Sequence, residues 1–140
     1  MLEEYDLVLR IIIAAILGAA IGYEREIRGK TAGLRTHTLV CMGSALITVV
    51  GIYGFSGIGD SSRLAAGIIT GIGFLGAGAI IASGREVHGI TTAASIWIVA
   101  AMGIAVGARL YLVALATTIL SLIVLQLWRI EPERTKRMKE

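Results

Sequence analysis

The sequence predicts an all-α fold: a polytopic transmembrane helical bundle of about five spans with close, glycine-rich helix packing. Three observations carry this. First, 56% of the 140 residues are hydrophobic and 16% charged, with a mean hydropathy of +0.81, against about 45–50% apolar and about 25% charged in a soluble domain. Second, apolar runs recur along the whole chain, separated by short polar stretches. Third, the segment from Asp60 to Gly107 is dense in glycine. Each glycine would cost a helix in water roughly 1 kcal/mol relative to alanine. In lipid, small residues are where helix backbones approach one another.

The first span is expected at Leu7–Tyr23, continuing through Glu24–Arg28 and stopping at Gly29. Ala14, Gly18 and Gly22 give it a smooth stripe at every fourth position. The second is expected at Leu39–Phe55 and the third at Leu64–Ala82. At about 100° per residue, Gly67, Gly71 and Gly78 share one face of the third span within about 40°, and Gly73 and Gly76 share the opposite one. Neighbours are therefore expected on both faces, in the bundle or at a homodimer seam. The fourth span, Thr91–Val106, falls short of the roughly 17-residue lower limit for crossing, which leaves open a full crossing or a re-entrant or locally thinned element. The fifth is expected at Leu110–Leu127, with Trp128 as an interface anchor beside Arg129. Residues 1–128 form one transmembrane domain in this reading, and 129–140 a basic cytoplasmic tail.

Charge sets the expected orientation. Arg25, Arg28, Lys30, Arg35, Arg85 and five basic residues of the tail make ten on one side, against Arg10, Arg63 and Arg109 on the other. The positive-inside rule then puts the N-terminus outside and the C-terminus in the cytoplasm. The acidic start Met-Leu-Glu-Glu-Tyr-Asp is unlike a signal peptide, so the first span is expected to be retained. The sequence pI of 9.4 has this topological explanation, and no aromatic-rich basic face points to nucleic acid. The single Cys41 excludes an internal disulfide framework, and no Cys/His cluster suits zinc or an iron–sulfur centre.

Two polar groups are candidates for function. Asp60 and Arg63 open the third span. Asp60 suits an N-cap, with Ser61 and Ser62 beside it; it equally suits a cation ligand or a partner of Arg63, because ionisable residues at membrane spans are costly and often functional. On the basic side, Glu24, Arg25, Glu26 and Arg28 extend the first helix, with Glu24 and Arg28 at pairing distance i,i+4. Thr91 and Thr92 begin the fourth helix, whose positive end suits a carboxylate such as Glu24 or Glu26. Magnesium would take such oxygen ligands while keeping several waters, and Asp60 is the metal-ligand candidate. His37 and His88 read as loop residues. Tyr5-Asp6 and Gly57-Ile58-Gly59-Asp60 superficially match two intramembrane aspartyl protease motifs, but both aspartates fall at span edges and that family's Pro-Ala-Leu motif is absent. No nucleophile–base pair or phosphate loop occurs either. No enzyme is expected, and no cofactor beyond Mg²⁺ as a ligand or transported ion.

The ordered motifs Gly22–Glu26 (G-Y-E-R-E), Gly33–His37 (G-L-R-T-H), Asp60-x-x-Arg63, Gly71–Gly78 (G-I-G-F-L-G-A-G), Gly89–Trp97 (G-I-T-T-A-A-S-I-W) and Gly103–Gly107 (G-I-A-V-G) resemble the MgtC/SapB family of bacterial inner-membrane proteins. They cover about residues 10–110. Two positions depart from the family's usual pattern: Ser61 stands for a proline after the aspartate, and Gly67 for a common glutamine. The resemblance implies magnesium homeostasis, growth at low magnesium and, in pathogens, virulence-related survival inside macrophages. It also implies action on partner membrane proteins such as ATP synthase or P-type ATPases. Larger members carry a cytoplasmic domain after the last span, which this chain, running to Glu140, is expected to lack as a minimal form. The uncharged span centres favour a partner-based role, since a divalent-cation path is expected to place acids at depth. The alternative is a cation transporter or channel at an oligomer interface, using Asp60, the glycine-rich backbone and Glu24, Glu26 or Thr91.

Overall fold

The computed structural model describes residues 2–55, 61–83 and 86–127. Asp60, Arg85, Trp128 and the basic tail lie outside them. The described elements are α1 (Leu2–Ile27), α2 (Leu34–Val49) with a π-helical turn at Val50–Gly54, α3 (Ser61–Gly78), β1 (Ile81–Ser83), β2 (Glu86–His88), α4 (Ile90–Gly107) and α5 (Tyr111–Gln126). The five helices follow the five apolar runs. The two strands pair antiparallel, with Ile81 opposite His88 and Ser83 opposite Glu86.

Three helices, Glu4–Ile27, Leu34–Gly54 and Ile90–Gly107, are long and apolar enough to cross a bilayer, and Ser62–Gly78 and Tyr111–Gln126 are shorter apolar helices. The molecule is a helical membrane protein. Two sequence expectations need correction. The fourth span is no shortened element: α4 has 18 residues, about 27 Å of rise, and is the central helix. The third span ends at Gly78 instead of Ala82, because the chain turns at Ala79–Ile80 into the β1–β2 hairpin. Gly89 makes that return possible. Its φ is +89°, and a Cβ there would sit 1.9 Å from the Ala79 carbonyl oxygen, so only glycine fits.

The helix ends are built by recognisable chemistry. After α1, Gly29 adopts φ +63°, its amide donating to the Glu26 carbonyl and the Lys30 amide to the Arg25 carbonyl. This is a Schellman closure with glycine in the left-handed position. The α4 end repeats it with Arg109 at φ +64°, where the Leu110 amide donates to Ala105 and Arg109 to Val106. A non-glycine residue there is costly, so the Arg109 side chain should have compensating contacts.

α2 lies against both α1 and α4, and these three helices form the centre; α3 rests on α4, with α5 on α4 and α1. Ala14, Ile21, Cys41, Ala45, Val99, Met102, Val106 and Ala114 fill the main core, and Ile68, Ile72, Ile96 and Ala100 a second cluster under α3. Glycine sets the helix spacing. A Cβ on Gly18 would meet Cys41 Cβ at 2.6 Å, one on Gly22 would meet Leu34 Cα at 2.7 Å, and one on Gly103 would meet the Cys41 carbonyl oxygen at 2.2 Å. In lipid, where burial of apolar surface gives little net drive, this backbone-level packing is a main source of helix association. Gly76 makes ordinary contact with Ala93 of α4, while Gly67, Gly71, Gly73 and Gly78 have no heavy atom within 4 Å of an added Cβ. The tightest seams therefore lie between α1, α2 and α4, and most of the α3 glycines are uncovered, Gly67, Gly71 and Gly78 on one face and Gly73 on the other.

Candidate functional site

Polar side chains gather at the two ends of α1, separated by about 21 Å of helix rise between Arg10 and Glu24. At the first end Arg10 is fully buried. Its Nε donates to Asp6 Oδ2 at 3.0 Å, one Nη to the Gly107 carbonyl at 2.9 Å, and the other Nη to the Tyr53 hydroxyl at 2.8 Å. That second Nη also pairs with Asp6. The Tyr53 ring lies 5.1 Å from the guanidinium carbon, within cation–π range. Arg109 Nη2 donates to the same Asp6 oxygen at 2.9 Å, the compensation its backbone conformation requires, and this hydrogen bond raises the Arg109 pKa above its ordinary value. One guanidinium thus joins α1, the end of α4 and the π-helical turn that carries Tyr53. In the sequence Arg10 and Arg109 enter only as charges of the less basic side. The i,i+4 spacing of Asp6 and Arg10 was the available signal.

At the other end Glu24 and Arg25 are both buried, 6% and 3% exposed. Arg28 pairs with Glu24 Oε1, and Arg25 Nη1 lies 3.7 Å from Glu24 Oε2. These contacts offset charge without hydrogen-bond geometry: neither Glu24 oxygen accepts a hydrogen bond, and Arg25 Nε donates none. Arg25 Nη2 donates to Thr92 Oγ1 at 3.5 Å, a weak bond. Glu26 faces the other way. Its Oε2 accepts the Leu34 amide at 2.7 Å and so serves the start of α2, not the start of α4 as its charge had implied. Arg35 is exposed on α2, Arg63 exposed in the first turn of α3, and Thr91 exposed where Thr92 is buried. Glu24, Arg25 and Thr92 come together; Glu26, Arg35 and Arg63 do not join them. Asp60 falls outside the described residues.

His37 corrects the sequence reading most directly. It is no loop residue but a fully buried member of α2. Nδ1 lies 2.8 Å from the Gly33 carbonyl oxygen and Nε2 2.9 Å from Ser95 Oγ on α4. A carbonyl only accepts, so Nδ1 carries the proton. Ser95 Oγ donates to the Thr92 carbonyl at 2.7 Å, and in the neutral ring that single hydroxyl proton is shared with Nε2. The signal was periodic: His37, Cys41, Ser44 and Ala45 are all buried on α2 at i, i+4, i+7 and i+8. His88 lies in β2 and is exposed.

Among the described residues no three His, Cys, Asp or Glu side chains form a group that could hold a metal ion. Beside Arg25, Arg28 and Lys30 lies a pocket of about 620 Å³, closed by Thr91 and by Val124, Leu125 and Leu127 of the α5 end. The chemistry available here is cation-lined anion binding and helix bracing.

The profile of the MgtC family matches residues 11–131. YhiD of Escherichia coli K12, provisionally named a magnesium transporter, is 44% identical over 130 residues, covering 88% of this chain and 60% of YhiD. SrpB of Synechococcus elongatus is 43% identical over 129 residues, 83% of this chain and 71% of SrpB. Protein MgtC of Brucella abortus is 48% identical over 110 residues, 76% of this chain and 44% of that protein. The chain thus spans less than two thirds of YhiD and less than half of that MgtC. No solved structure matches it. A helical membrane bundle, matched over most of its length by this profile and these relatives, belongs to the MgtC family.

Proposed function

We propose that this chain is a non-enzymatic membrane protein of magnesium or ion homeostasis and stress adaptation, acting through partner membrane proteins. ATP synthase and P-type ATPases are the proposed classes of partner. Its place is the bacterial inner membrane, with the N-terminus outside and the C-terminus in the cytoplasm, on the excess of Lys and Arg along one side. The homeostasis role draws on family membership and on the name carried by YhiD.

One observation supports the partner-based role over transport. The centre of the described bundle is closed at backbone level. Gly103 meets the Cys41 carbonyl, Gly107 meets Thr48 and Ala45, and Gly18 meets Cys41 and His37. A hydrated divalent cation has no width to pass there, and the buried charges sit at the two ends of α1.

A second reading rests on the uncovered Gly67, Gly71 and Gly78, which share one face of α3. A second copy of the chain would cover that face, and a cation path would then run between protomers. Mg²⁺ uptake into proteoliposomes with an entrapped indicator separates the two. The expected result is uptake no greater than in protein-free vesicles, under conditions where a known Mg²⁺ transporter conducts. Uptake that is abolished by Asp60→Ala or Gly71→Leu would overturn the partner-based reading.

A further inference from the structure

We propose that the basic end of the bundle is a binding site for an anionic phospholipid, its phosphate held by Arg25, Arg28 and Lys30 and one acyl chain lying between α4 and α5. The site does not depend on the transport question. The basic pocket shares Thr91, Val124 and Leu125 with a second groove, of about 680 Å³, that runs along Trp97, Ile98 and Leu120. Each volume is typical of a small-ligand site. Together they form a charged cup that opens into an apolar slot.

The charge balance suits an anion. Among the described residues the side chains lining the cup include Arg25, Arg28 and Lys30 and no carboxylate, and Glu24 beside it is paired by Arg28. Arg25 is 3% exposed, its Nε has no acceptor, and its bond to Thr92 is at the limit of length. A buried guanidinium with spare donors, lining a cavity, calls for an acceptor. Phosphate oxygens match its fork geometry. The start of α4, at Ile90–Thr91, adds the positive end of an 18-residue helix. Basic pockets between membrane helices are a known mode of recognising phospholipid headgroups. A free phosphate would satisfy the cations equally, but it would leave the adjoining apolar slot empty. The slot decides for a lipid.

Trp97 lines the slot and is 46% exposed, which provides a local probe. The chain has two tryptophans, so Trp128→Phe leaves Trp97 alone. The full chain is placed in nanodiscs of phosphatidylcholine with a minority of phosphatidylglycerol, and brominated acyl chains are carried by one lipid or the other at equal mole fraction. Brominated phosphatidylglycerol is expected to quench Trp97 several-fold more than brominated phosphatidylcholine. Arg28→Gln with Lys30→Gln should erase that preference and bring the two lipids to near-equal quenching, since each basic residue contributes about fivefold. Ala94→Phe, which narrows the slot without changing charge, should lower quenching by both lipids, and serves as the second variant if the charge variant loses its helical circular dichroism. Equal quenching by the two lipids in the Trp128→Phe chain would overturn the proposal. Loss of the preference on adding inorganic phosphate, at ionic strength matched with chloride, would assign the cup to free phosphate and overturn the lipid.

Discussion

Arg10→Met removes a guanidinium while keeping most of the apolar stem, and its effect can be worked from the contacts. Asp6 retains Arg109 as a partner at 2.9 Å and is about one-third exposed, so the lost ion pair contributes little after solvent screening. The Gly107 carbonyl and the Tyr53 hydroxyl lose a buried donor at 2.9 and 2.8 Å. Interhelical hydrogen bonds in membrane proteins average about 0.6 and reach about 1.7 kcal/mol, and charge-assisted ones belong at the upper end. A cation at the end of α4 adds about 0.3–1 kcal/mol. The expected destabilisation is about 2–4 kcal/mol. Arg10→Lys should fall between, since one ammonium cannot address three acceptors as a planar fork does. The assay is unfolding in mixed micelles by titration with sodium dodecyl sulfate, followed by far-ultraviolet circular dichroism. Tyr53→Phe completes a double-mutant cycle. An Arg10→Met variant within about 0.5 kcal/mol of the native chain, or no coupling to Tyr53, would refute the assignment of Arg10 as the brace between α1, α2 and α4.

Two glycine comparisons follow by the same assay. Gly103→Ala should destabilise by about 1–3 kcal/mol or more through overpacking, because its Cβ would stand 2.2 Å from a backbone oxygen; Gly73→Ala, with open space around it, should be neutral or stabilising by up to about 1 kcal/mol. Equal effects would show that helix propensity, not the α2–α4 approach, dominates. Gly89→Ala should be worse than Gly29→Ala. Both have positive φ, at a cost of about 1–2 kcal/mol, but only at Gly89 does the new carbon collide, 1.9 Å from the Ala79 carbonyl oxygen.

The sequence by itself determined the class of molecule. Apolar run length and glycine content required helices in lipid, and five runs became five helices. Gly29 as the stop of α1 and the Glu24–Arg28 pair were legible because both depend on residues within one or two turns. The smooth Ala14–Gly18–Gly22 stripe could be read as well, since it follows from helical periodicity alone. The partners of these features were not legible. Sequence density drew attention to the α3 glycines, whereas among the described helices the closest backbone approach is made by Gly103 on α4 against α2, followed by Gly18 and Gly22 on α1. Glu26 reaches the start of α2 rather than that of α4, and His37 enters the core to meet Ser95, 58 positions away. Asp6 and Arg109 are 103 positions apart. Each of these depends on which helices become neighbours and at what rotation. Small-residue spacing says that a face can be approached closely; only the tertiary structure decides what approaches it, because in lipid many apolar faces are nearly equivalent and a few hydrogen bonds and backbone fits select among them.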